Sequence, residues 1–243
     1  MKIYNTHERL LADTLTPVAI YLRLRDHFPN SLLLESSDYH SKADSLSFIC
    51  LQAMAGFEAT GKNFEYHFPN EKPVSGTSES LNAIMPKFES FINAFEVEKA
   101  ELPFDTAGLF GYSSFESIQY FEEIELKVKP SENKANPDLK YQLFRYVIVI
   151  DHFKNELYIV KHDTGPLEQD DKDIARLKSF LQVNHSAQFS FKTVGEESCK
   201  NSPEEFKSMV TKGIAHCQRG DVFQVVLSRE FNQGFKGDDF NVY

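Results

Sequence analysis

Apolar positions along the chain shift between three-four spacing and strict alternation, and these two periods sort much of it into helices and strands. Thr16 is placed to cap a helix with Pro17 at its first position; Val18, Tyr21, Leu22 and Leu24 continue it and Pro29 stops it. The run Leu32-Leu33-Leu34 reads as a short buried strand entering the polar Glu35-Ser36-Ser37. Phe57–Thr60 and Phe64–Phe68 flank Gly61-Lys62 as a hairpin. Ser78 is predicted to open a helix in which Leu81, Ile84, Met85, Phe88, Phe91, Ile92 and Phe95 share one face. Ser131–Pro137 is polar and bounded by prolines, as a loop would be. Tyr141–Asp151 and Leu157–Val160 read as strands around a turn at Asp151–Glu156. Asp170–Asp173 sets negative charge at the start of a helix carrying Ile174, Leu177 and Leu181, which suits the helix dipole.

A second block opens at Ser202-Pro203-Glu204-Glu205, a capping box with proline at the first helical position. Phe206, Met209, Val210 and Ile214 form the apolar face of this helix, and Gly220 ends it. A strand is predicted at Val222–Phe231. Period two puts Val222, Gln224, Val226 and Ser228 on one face, and Phe223, Val225, Leu227, Arg229 and Phe231 on the other. Gly234–Tyr243 contain little that could close a fold. No internal repeat interrupts this order.

Composition narrows the function classes. Hydrophobic residues make up 41% and charged residues 26%, which is ordinary for a soluble globular protein. A net charge of −10 argues against non-specific nucleic-acid binding or attraction to an acidic membrane, since phosphates would be repelled. Cys50, Cys199 and Cys217 are widely spaced, without a CxxC, and read as reduced thiols of a cytoplasmic protein. The N-terminal residues lack the apolar run of a signal peptide, and no stretch reaches transmembrane length. The eight histidines show no HxH or HExxH spacing, and no metal site is expected from the residues present.

Three motifs carry chemistry. In His216–Phe231, HCQRGDVFQVVLSREF, a glutamine sits in mid-strand among apolar residues. A buried amide must be hydrogen-bonded, so Gln224 is either paired within the protein or presented to a ligand. The others are LLLESS at Leu32–Ser37 and AGLFGYSSFESIQYFEEI starting at Ala107. Together they resemble anthranilate synthase component I: an N-terminal regulatory region at 1–195, and at 196–243 the start of the chorismate-binding catalytic domain.

The resemblance implies an α+β fold of antiparallel sheets packed face to face with outer helices. It implies an enzyme converting chorismate and ammonia to anthranilate and pyruvate, with Mg2+ as cofactor and a glutamine amidotransferase subunit as partner. Gln224 matches a position held by lysine in relatives that add water to chorismate; ammonia needs no such base, so a neutral amide fits an ammonia user. Glu35 and Ser36 match the segment that binds the feedback inhibitor tryptophan, and a carboxylate suits an amino-acid ammonium. Gly108, Gly111 and Tyr112 are expected to shape a packed turn. In the family the magnesium ligands and the acid-base histidine lie beyond the residues matched here, so the chain is expected to be inactive alone. Aminodeoxychorismate synthase component I and a non-catalytic amino-acid-binding or interaction module remain as alternatives.

Overall fold

The computed structural model describes residues 1–36, 45–124, 126, 136–165, 172–183 and 189–243. They fall into two compact units, Met1–Ser186 and Ala187–Tyr243. The expected boundary after residue 195 lies within a strand of the second.

In the first unit the chain runs through β1 (Lys2–Leu11), α1 (Pro17–Leu24), β2 (Leu32–Leu34), β3 (Leu46–Thr60), β4 (Asn63–His67), β5 (Val74–Thr77), α2 (Ile84–Asn93), β6 (Glu96–Val97) and β7 (Phe110–Ser113). A 3-10 turn at Phe115–Tyr120, β8 (Leu139–Asp151), β9 (Glu156–Asp163) and α3 (Lys172–Gln182) follow. The strands form one nine-stranded sheet in the order β5-β4-β3-β8-β9-β1-β6, with β2 added to β3 and β7 to β8. All pairings are antiparallel except β1 with β6.

Two long strands, β3 and β8, organise this sheet. β3 departs from a regular ladder at Gln52, which has φ 57°, and its register with β8 shifts between Ala53 and Ala55. Bulges of this kind increase local bending, and the core divides accordingly. On one side of the shift, α1 and α3 lay Ile20, Leu24, Ile174, Leu177 and Leu181 over Ile49, Leu51, Ile148, Ile150, Leu157 and Ile159. Each fully buried aliphatic side chain contributes roughly 1.5–3 kcal/mol of transfer free energy. The alternate residues Cys50, Phe144, Val147, Val149, Tyr158 and Val160 point to the opposite face and are buried there as well. Beyond the shift, α2 packs Ile84, Phe88 and Phe91 on Ala55, Phe57, Ala59, Leu139 and Leu143.

Local signals explain the helix starts. Thr16 accepts from the Ala19 amide and Pro17 opens α1, as predicted. α2 begins at Ile84 rather than near Ser78, and its N-cap Ala83 offers no side-chain acceptor. Ser78 is instead bound to the hairpin through its amide, which donates to Lys62 O at 2.8 Å. Gly111 and Tyr112 belong to β7, not to a turn. A Cβ at Gly111 would lie 1.9 Å from Lys140 O, so glycine is what lets β7 reach β8.

The second unit contains β10 (Phe191–Cys199), α4 (Pro203–Arg219), β11 (Phe231–Gly237) and a 3-10 turn at Asp239–Val242. The capping box is present: Ser202 accepts from the Glu205 amide, and Glu205 accepts from the Ser202 amide. Gly220 takes the left-handed conformation, φ 79°, that ends the helix. The predicted strand at Val222–Phe231 is corrected here. Residues 222–230 pair with no strand among those described, and pairing begins only at Phe231, in β11 with β10. A ladder needs a neighbouring backbone, which periodicity alone does not provide. No helix among the described residues is long and apolar enough to cross a membrane.

Candidate functional site

Glu35 and Ser36 follow directly on β2, whose register with β3 is Leu32↔Cys50, Leu33↔Ile49 and Leu34↔Phe48. This pairing anchors the two residues at the end of a short strand, and both are exposed. The sheet face that holds Leu32 also carries aromatic groups: the Phe48 and Phe110 rings lie 5.7 Å apart, and Phe110 meets Phe144 edge-on at 6.4 Å. A carboxylate can pair with an ammonium and a hydroxyl can hydrogen-bond a polar group. Ser37, which ends the motif, lies outside the described residues.

Gln224 lies in the second unit. The turn before it is clamped by Asp221, whose carboxylate accepts from Arg219 Nε at 3.0 Å and Nη2 at 2.8 Å and lies 2.8 Å from His216 Nδ1. From there the chain runs extended along α4. A Cβ on Gly213 would come 3.3 Å from Leu227 Cδ1 and 3.4 Å from Val225 Cγ1, so this glycine admits the run close to the helix. Arg229 donates to Asn201 O at 2.9 Å, and its guanidinium lies 4.8 Å from the Phe231 ring. Leu227 and Arg229 are half-buried against the helix, while Phe223, Gln224, Val225 and Val226 are all exposed. The expected alternation of buried and exposed faces is therefore absent from residues 222–226, and Gln224 is exposed rather than buried.

Two polar groupings escaped the sequence reading. Asp138 Oδ2 accepts from the Gly61 amide at 2.8 Å and from the Tyr120 hydroxyl at 3.0 Å, and Ser114 donates to Oδ1 at 3.4 Å. This buried carboxylate ties the β3–β4 turn to the Phe115–Tyr120 segment. Burial and Asp138 together push the Tyr120 hydroxyl well above the usual tyrosine range. Lys161 donates to Asp173 at 2.8 Å and holds its carboxyl below the ordinary carboxylate value, fixing α3 to β9. Both join segments distant in sequence, so no local spacing announces them. Burial pushes the Cys50 thiol up to about 12, which makes it a packing residue rather than a nucleophile. Among the described residues no three or more His, Cys, Asp and Glu side chains come together in a way that could hold a metal ion. The residues described thus do not fit magnesium.

Residues 35–243 match the sequence profile of the chorismate binding enzymes. The chain belongs to that family. The chain is 27% identical over 249 residues to anthranilate synthase component 1 of Lactococcus lactis, a match covering 97% of the chain and 50% of the relative. With the protein of the same name from Aquifex aeolicus it is 27% identical over 260 residues, covering 98% and 49%. The crystal structure of anthranilate synthase component I from Streptococcus pneumoniae superposes with a TM-score of 0.56 at 21% identity. That likeness covers 96% of the chain and 51% of the neighbour, and it supports the mixed α+β fold with antiparallel sheets. The chain spans about half the length of the curated relatives it matches.

Proposed function

We propose that the chain is the N-terminal half of an anthranilate synthase component I, which converts chorismate and ammonia to anthranilate and pyruvate. The observation that carries this reading is the end-to-end similarity, across 97% of the chain, to proteins bearing that name. Gln224 then stands on the substrate side of the catalytic half as a neutral hydrogen-bonding group. Glu35 and Ser36 contact tryptophan as feedback inhibitor. A glutamine amidotransferase subunit supplies ammonia, and Mg2+ is bound by residues other than those of this chain. A cytoplasmic setting suits the three free thiols.

On this reading residues 1–243 alone form no anthranilate from chorismate, ammonia and magnesium; the product's fluorescence appearing in that mixture would overturn it. Where the sequence is joined to the C-terminal half of the enzyme, ammonia-dependent anthranilate formation inhibited by tryptophan is expected. There Ser36→Phe crowds the effector site and raises the tryptophan concentration for half-inhibition by about tenfold or more, with turnover largely retained. Equal inhibition of variant and parent would count against the assignment of Glu35 and Ser36.

A further inference from the structure

The outer edge of the large sheet carries a second surface with two distinct faces. β5 is the terminal strand on that side, and Val74, Ser75 and Thr77 are exposed. The Ser78 amide donates inward to Lys62 O. By the period of two, Gly76 and Val74 also turn their backbone groups toward β4, and Ser75 and Thr77 turn theirs outward. These outward groups have no strand beside them among the described residues.

Each face of this edge opens on a cavity. Toward α2 lies a groove of about 640 Å³, walled by Phe64, Tyr66 and Phe68 on one side and Pro86 and Phe91 on the other, with Val74 at its mouth. Gly76 contributes no side chain there; a Cβ on it would lie 2.9 Å from the Phe64 ring. On the opposite face a cavity of about 410 Å³ is lined by Glu58, Thr60, Asn63, Glu65, Ser75 and Thr77. Glu58 and Glu65 stand directly opposite in the β3–β4 register, a like-charge pair that costs stability. Glu58 is partnered by Lys140 at 3.4 Å. Glu65 makes no ion pair among the described residues.

We infer that β5 is a docking edge for an extended segment of a partner protein, added as a further strand, with apolar side chains alternating with lysine or arginine. Main-chain hydrogen bonds to Ser75 and Thr77 supply affinity, and the two cavities read alternate side chains. Apolar side chains enter the groove beside Val74 and Phe64. Basic ones reach Glu65 and relieve its repulsion with Glu58. Lys87 does not oppose them: its ammonium lies 4.9 Å from the Phe64 ring, on the apolar side. The net charge of −10 favours encounter with a basic segment. A second copy would offer only Val74-Ser75-Gly76-Thr77, which carries no cation for Glu65.

The test is fluorescence anisotropy of a short labelled peptide alternating valine and lysine, titrated with the purified chain. A scrambled peptide of the same composition and one with glutamate in place of lysine serve as controls. The alternating peptide is expected to bind more tightly than both by about tenfold, with affinity falling as salt rises. Ser75→Pro removes an outward amide while sparing the inward pairing, and should weaken binding by about tenfold. On the parent chain the peptide should also slow hydrogen exchange at the Ser75 and Thr77 amides, a readout independent of any variant's folding. Equal binding of the three peptides, or unchanged exchange at those amides, would overturn the inference. So would a concentration-dependent dimer whose formation alone protects the two amides.

Discussion

His162 shows how a single side chain can couple stability to pH. Its ring is fully buried, with Nδ1 3.0 Å from Phe144 O and Nε2 3.3 Å from Thr106 Oγ1. A carbonyl only accepts, so Nδ1 carries the proton; burial disfavours a second proton, so Nε2 accepts from the threonine hydroxyl. Burial holds the ring's pKa below the ordinary 6.5, and the bond to Phe144 opposes this only in part. In the unfolded chain the ring takes up a proton as pH falls through 6.5, while the folded ring refuses it until its own lower pKa. Protons then favour unfolding, and stability declines as pH falls through that window. The expected contribution is at most about 1.4 kcal/mol per pH unit. Urea titrations of the parent and His162→Gln between about pH 7.5 and 5.5 check it, with a shallower pH slope expected for the variant. Identical slopes would show that His162 stays unprotonated in both states or protonates in both.

At the scale of elements, what was legible depended on whether the signal was local. The caps at Thr16 and Ser202 and the stop at Gly220 involve residues within a few positions of one another, and each sits where the sequence placed it. The Gly61-Lys62 hairpin was equally plain, since turn and alternation adjoin. β1 was not recognised. Exposure alternates over residues 6–11, but Asn5-Thr6-His7-Glu8-Arg9 are polar on both faces, so no apolar pattern announces the strand. β10 and β11 went unread for a related reason: they are exposed over most of their length, so their sequences carry little apolar pattern. Among the site residues, Glu35 and Ser36 were placed correctly at the end of a strand, whereas Gln224 was expected in a paired strand and is not in one. The AGLFGY glycine yields the prediction at this scale. Gly111→Ala sets a methyl group against Lys140 O, and β7 must separate from β8 to make room. The cost is expected at about 2–4 kcal/mol by urea denaturation. A change within about 0.5 kcal/mol would mean that β7 is held independently of that close approach.

At the scale of the whole chain the two compact units differ in what holds them. Every buried apolar residue among those described lies between Ile3 and Leu181, within the first unit. The second unit has one buried residue in α4, Gly213, and leaves Ile214, Val226, Phe231 and Phe235 exposed. Its stability rests on the capping box, the Asp221 clamp, the β10–β11 ladder and the stacked Phe191–Phe235 pair at 5.5 Å. Contacts of this kind are worth a few tenths to about 1 kcal/mol each. Ordering each residue costs about 1–2 kcal/mol of backbone entropy, which such contacts cannot offset without a dry core. The first unit has that core on both faces of β3 and β8. Amides of β3, β8 and β9 should therefore show the slowest hydrogen exchange, opening only with global unfolding. Those of α4, β10 and β11 should exchange by local opening at much lower free energy. In urea their signals should be lost before the main transition, with the first unit's near-ultraviolet signal unchanged. The same asymmetry bears on the proposed role. If the second unit is the beginning of a catalytic half, its exposed Val226 and Phe231 are surfaces that further sequence of that half would bury. Joining that sequence should then raise protection of α4 toward that of β8. Protection of α4 already equal to β8 in residues 1–243 would show that the second unit is stable as it stands.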